Sequence, residues 1–165
     1  MTVQIRDTFV WKKKQYYFET AKDYSSIRLF EPKDYGFVPL APHTACWKGF
    51  VLYFRINEED ELLIDTLEIN DANNYYPEIN GVKAVKDKEL NCCFHIYNNL
   101  NLKLTKYSGE IYIDSNNNMD RFRKRENDTI KLIIENGKLI DFCWLQWNNK
   151  TITLNKVKKL VERTT

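Results

Sequence analysis

Cys92, Cys93 and His95 come nearest, by type and spacing, to a nucleophile and its base. A thiol becomes a reactive thiolate at neutral pH when an imidazole takes its proton. In an extended strand Cys93 and His95 share one face. Neither is followed by a glycine-rich elbow or by a helix start, the settings that usually activate a nucleophile. The context therefore favours a structural reading, in which the cysteines, Cys46 and Cys143 included, are reduced and mostly buried beside a hydrogen-bonded histidine.

Asp65, Glu68 and Asp141 are the carboxylates that could do acid–base work, because partial burial pushes a carboxyl pKa upward toward a useful range. Nothing in the sequence pairs them. Asp141 interrupts an apolar strand face, and either a backbone bond at a bulge or a slipped register that exposes it would account for it without catalysis. Metal chemistry lacks ligands. His43 and His95 stand far apart, no C-x-x-C pair is present, and residues 114–120 lack the glycine and closing glutamate of a calcium loop. Neither nucleotide-binding glycine motif occurs, so no cofactor is expected.

Binding residues are easier to find. The cluster Arg121, Phe122, Arg123, Lys124 and Arg125, with Lys12, Lys13, Lys14 and the lysines of 156–159, could touch phosphates. Glu126 and Asp128 follow at once, however, and 25 Lys and Arg against 23 Asp and Glu leave a net charge of only +2, which argues against nucleic acid and anionic membranes. Tyr75 and Tyr76, in a long polar loop, and Trp144 and Trp147, near the end of a strand, are the better candidates: large aromatics are costly when exposed and favoured at the centres of protein interfaces, although Trp144 and Trp147 suit the core equally well.

The elements that must carry these residues are mostly strands. Asn136-Gly137 between two apolar runs, 129–135 and 138–144, predicts a hairpin with a two-residue type I′ turn, Glu135 opposite Lys138. Its predicted core face carries Ile130, Leu132, Ile134, Leu139, Asp141 and Cys143. A second hairpin is predicted from 47–56 into 62–69 around the polar break 57–60, with Phe50, Leu52, Phe54 and Ile56 on one face. Further strands are expected at 3–10, 15–19, 27–30, 92–97 and 109–113. Asn155 as an N-cap, with Val157, Leu160 and Val161 at helical spacing, predicts a short C-terminal helix.

The chain has 165 residues, 43% of them hydrophobic and 14% aromatic, with 5 glycines and 4 prolines. That composition excludes disorder and low-complexity repeats and suits a single domain over 1–165. No run approaches the ~18 apolar residues of a membrane span, and the charged opening residues do not read as a secretory signal. A cytoplasmic protein is expected.

Trp47-Lys48-Gly49-Phe50, the hairpin that it begins, Tyr107-Ser108-Gly109-Glu110-Ile111-Tyr112-Ile113 and the later Glu135-Asn136-Gly137-Lys138 turn resemble small bacterial one-domain proteins. These share a W-[KR]-G-[YF] strand hairpin, a Y-x-G-x-[IL]-x-I strand and an E-N-G-K-like turn. Some are similar to immunity proteins found beside secreted toxins. The resemblance implies a β-rich protein and no catalytic residues.

Together these readings give a mainly β domain, α+β at the margin: an antiparallel curved or barrel-like sheet with a short C-terminal helix. The leading expectation is a non-enzymatic, immunity-like module that binds a protein such as a toxin through Tyr75, Tyr76, Trp144 and Trp147. The alternative is a barrel-like protein holding a small ligand on Asp141 or His95. An enzyme ranks third.

Overall fold

Asn136 and Gly137 adopt φ values of 49° and 75°, the pair of positive angles that a type I′ turn demands. They join β9 (Thr129–Glu135) to β10 (Lys138–Asn148), with Glu135 opposite Lys138 as expected. The computed structural model describes residues 4–18, 29–88, 93–115, 129–148 and 151–156; for 146–148 and 151–156 it describes the backbone alone. The predicted core face is corrected beyond Leu139. The register shifts there, so Asp141 pairs with Ile133, Phe142 with Leu132 and Trp144 with Ile130. One extra residue in a strand inverts the alternation after it. Phe142 and Trp144 consequently pack against the main core, while Asp141 is exposed and accepts the Phe142 N–H at 2.8 Å.

The remaining strands are β1 (Thr8–Trp11), β2 (Lys14–Phe18), β3 (Phe50–Ile56), β4 (Leu62–Ile69), β5 (Val85–Lys86), β6 (His95–Tyr97), β7 (Leu102–Lys103), β8 (Gly109–Asp114) and β11 (Thr151–Lys156). They form one sheet in the order β11-β10-β9-β8-β2-β1-β3-β4-β6-β5, with β7 also on β4. The sheet is mixed rather than wholly antiparallel, because β1 and β3 run parallel. Residues 12–49 separate β1 from β3, well above the roughly a dozen residues that a parallel crossover needs. The path also stays open, ending at β5 and β11, so no barrel closes. Asn155 lies in β11 instead of capping a helix; Val157, Leu160 and Val161 lie outside the described residues. Of the strand expected at 27–30, the described residues Leu29 and Phe30 belong to no strand and are buried in the core.

Phe50, Leu52 and Phe54 are buried on the face that period two predicts. Across the ladder they meet Ile69, Leu67 and Ile64, and Asp65 is left over at a second bulge. Ring contacts bind the neighbouring strands: Phe18 lies 5.0 Å from Phe54 and 5.7 Å from Phe9 between ring centres. Each such buried ring stabilises the fold by about 1.5–3 kcal/mol. The curl of the sheet brings the β3–β4 and β9–β10 tips together, where Leu62 donates to the Gly137 carbonyl and Leu139 to that of Asp60, both at 2.8 Å. Among the described residues no helix is long and apolar enough to cross a membrane.

Candidate functional site

Asp71 organises the surface that best fits a binding role. It follows β4, is only 2% exposed, and cannot be left uncompensated at that depth. Its Oδ1 accepts the Val38 N–H at 2.5 Å, and its Oδ2 accepts the N–H groups of Asn73 at 2.9 Å and Tyr75 at 3.0 Å. Its own N–H donates to the Tyr76 hydroxyl at 3.2 Å. Beside it Leu40 donates to the Asn70 carbonyl at 2.9 Å and Ala72 to that of Val38 at 2.8 Å, which ties residues 38–40 to 70–72 as a short ladder. Two loops are thereby fixed to each other and to the end of β4.

What this arrangement leaves outside is apolar. Val38, Leu40 and Tyr75 are 50%, 53% and 53% exposed. Tyr76 turns the other way, is half-buried, and stacks on His95 with ring centres 3.6 Å apart and planes inclined by 19°. Next to this stack opens a cleft of about 460 Å³ whose wall includes Leu40, Asn74, Lys86, Lys88, Cys93 and His95. That is within the range of small-molecule sites, about 300–1,000 Å³.

Cys93 and His95 therefore meet the same cleft, as strand alternation predicts. The expected burial of Cys93 is corrected, since it is exposed and lies just before β6; Cys46 and Cys143 are buried, and Cys92 lies outside the described residues. His95 Nδ1 is buried and finds no partner among the described residues, while the Cys93 backbone acts on the ring as a hydrogen-bond partner. Burial, and then the charge of Lys86, hold the His95 pKa below its usual value, so the ring is neutral at pH 7. A catalytic imidazole is normally oriented by a third group on its second nitrogen. Among the described residues no acid supplies that orientation.

The other candidates disperse. Asp65 pairs with Arg55 at 2.8 Å in a partly exposed ion pair. Glu68 lies on the opposite side of the sheet, where it accepts the Tyr53 hydroxyl at 3.0 Å; burial first, and then the charge of Asp87, raise its carboxyl pKa. This second face holds a small cluster of Cys46, Val51 and Phe94 beside the buried pair Asp7–Lys48. Burial likewise pushes the Cys46 thiol up. His43 accepts the Ala45 N–H there at 3.3 Å, and no group of three metal-ligating residues occurs among the described residues. Asp141 is remote from the cleft wall, Trp144 is half-buried against the core, and the Trp147 side chain lies outside the described residues. Sequence reasoning passed over Val38, Leu40, Lys86 and Lys88. The first two were signalled by apolar residues flanking Pro39 in a segment that also contains Pro42.

Comparison with known protein families, curated proteins and solved structures finds no match to this chain.

Proposed function

We propose that the protein is a non-enzymatic binding module that engages a protein partner through the loop face carrying Val38, Leu40 and Tyr75. The observation that supports this reading is the exposure of these three large apolar side chains on loops that Asp71 holds rigid. Rigid apolar anchors lose little entropy on docking, and aromatic ones are favoured at interface centres. The resemblance to immunity proteins supplies a partner class, a secreted toxin that such a surface would occlude. Tyr75 retains its expected role in this reading, whereas Trp144 contributes to the fold. The barrel-interior reading loses support, because the sheet is open and Phe9, Leu52, Phe54 and Ile111 are packed together in its core.

Affinity capture from the native host, with Leu40→Ser/Tyr75→Ser beside the wild-type protein, tests the proposal. One stoichiometric partner, lost by this variant while its circular dichroism spectrum and melting temperature hold, is the expected result. Trp144→Ala is expected to lower stability by about 2 kcal/mol and to keep the partner at temperatures where it is folded. Retention of the partner by Leu40→Ser/Tyr75→Ser would overturn the assignment of the surface.

A further inference from the structure

The cleft beside the Tyr76–His95 stack carries a charge arrangement that docking on Leu40 and Tyr75 does not use. Lys86 stands directly opposite His95 in the β5–β6 ladder, so the two side chains share a face. The Asp87 N–H extends that ladder by donating to the Phe94 carbonyl at 3.1 Å, and alternation then returns Lys88 to the side of Lys86. Asp87 also lines the cleft, and the alternation that puts Lys86 opposite His95 turns its side chain toward the face of Glu68, whose carboxyl it influences. The remaining acid of the wall, Asp71, has three N–H donors on its oxygens and almost no exposure. Both lysines are exposed and form no ion pair among the described residues, and the Asn74 side-chain amide makes no hydrogen bond among them.

We propose that this cleft is a binding site for a small organic anion, a carboxylate or phosphate carried on a body that fits about 460 Å³, with Lys86 and Lys88 as its charge partners and Asn74 as a hydrogen-bond donor. The His95 ring, held in place by its stack on Tyr76, supplies a flat part of the wall for the body of the ligand. An anion seated on Lys86 also offsets the charge that disfavours imidazolium at His95, so occupancy raises the titration midpoint of that ring. Leu40 borders both the outer surface and the cleft, but the charge partners Lys86 and Lys88 and the His95 ring stay intact in the Leu40→Ser/Tyr75→Ser variant, and the outer surface stays intact in Lys86→Gln/Lys88→Gln, so the two sites fail separately.

With two histidines in the chain, imidazole proton NMR resolves the site, and His43, on the other face against Phe94, serves as an internal control. Inorganic phosphate and succinate are the probes, each compared with sodium chloride at equal ionic strength. The expected result is a saturable shift of the His95 resonances with an upward move of its midpoint, unaccompanied by His43, and weakened about tenfold or more, a loss of about 1.4 kcal/mol, in Lys86→Gln/Lys88→Gln. A response to phosphate alone assigns phosphoryl ligands, and a response to succinate alone assigns carboxylates. No saturable response to either probe, an equal response to chloride, a matching shift at His43, or undiminished binding by the double variant would overturn the proposal.

Discussion

Gly137 sits where three loops meet, and replacing it by alanine tests whether the curl of the sheet is held by backbone packing. Its φ of 75° costs a non-glycine residue about 1 kcal/mol. An added Cβ would lie 2.6 Å from the Leu104 carbonyl oxygen and 2.8 Å from Thr105 Cα. These are backbone atoms, which cannot rotate aside, so the 104–107 turn must retreat by on the order of 0.5–1 Å to restore ordinary contact. That displacement loads the Gly137 N–H bond to the Tyr107 carbonyl and the Leu62 N–H bond to the Gly137 carbonyl, both 2.8 Å. Losing them costs about 1 kcal/mol each, for a total near 3 kcal/mol. Gly81 supplies the control, with a φ of 78° and nothing within 4 Å of its added Cβ, so Gly81→Ala should cost only about 1 kcal/mol. Urea unfolding with unchanged slope measures both. Equal losses for the two variants would refute the argument that the hairpin tips and the 104–107 turn are packed together.

Two further outcomes follow from the second face of the sheet. Lys48 donates to both oxygens of Asp7 at 2.5 and 2.7 Å, and the Asp7 side chain is 2% exposed. Lys48→Met strands that carboxylate and should cost about 3 kcal/mol; Arg55→Met, at the exposed pair with Asp65, should cost less than about 1 kcal/mol; similar losses in urea titrations would contradict the burial argument. Glu68 has a folded pKa raised above its unfolded value, so its contribution to stability is complete below the unfolded pKa and is lost as pH rises through the folded one. Glu68→Gln keeps an acceptor for the Tyr53 hydroxyl and removes the charge; its melting temperature should exceed that of the wild type at pH 7 and converge with it in acid, and a difference constant with pH would exclude the linkage.

The hairpins were legible because their signals are local. Asn-Gly fixes a turn, and period two assigns Phe50, Leu52 and Phe54 to the core. The β10 bulge announced itself only as a misfit, Asp141 on an apolar face, and the sequence could not choose between a bulge and a slip because both expose the same side chain. The parallel β1–β3 pair was illegible, since contacts between distant segments are selected by packing and leave no local mark. At the C-terminus the spacing of Val157, Leu160 and Val161 competed with Thr151-Ile152-Thr153-Leu154, whose alternation of β-branched and apolar residues fits the strand pairing there with β10. The cleft was half legible. Cys93 and His95 were found by type, but β5 is two residues long, too short for any periodic signal to deliver Lys86 beside them.

The division between a catalytic and a binding reading of the cleft turns on where its hydrogen bonds have gone. Asp71, the buried carboxylate of the wall, accepts from Val38, Asn73 and Tyr75. Its charge is used to hold two loops together. His95 Nδ1 has no hydrogen-bond partner among the described residues, and the imidazole is positioned by the Tyr76 stack and the β6 backbone. Proton transfer needs a nitrogen whose tautomer is set, whereas recognition needs rigid walls and unspent charges at the rim. The cleft has the second set: loops fixed by Asp71, a stacked aromatic wall, and Lys86 and Lys88 unpaired among the described residues. The same carboxylate that fixes Tyr75 on the outer surface also fixes the loop that walls the cleft, so both faces of the site are held in place by one buried group.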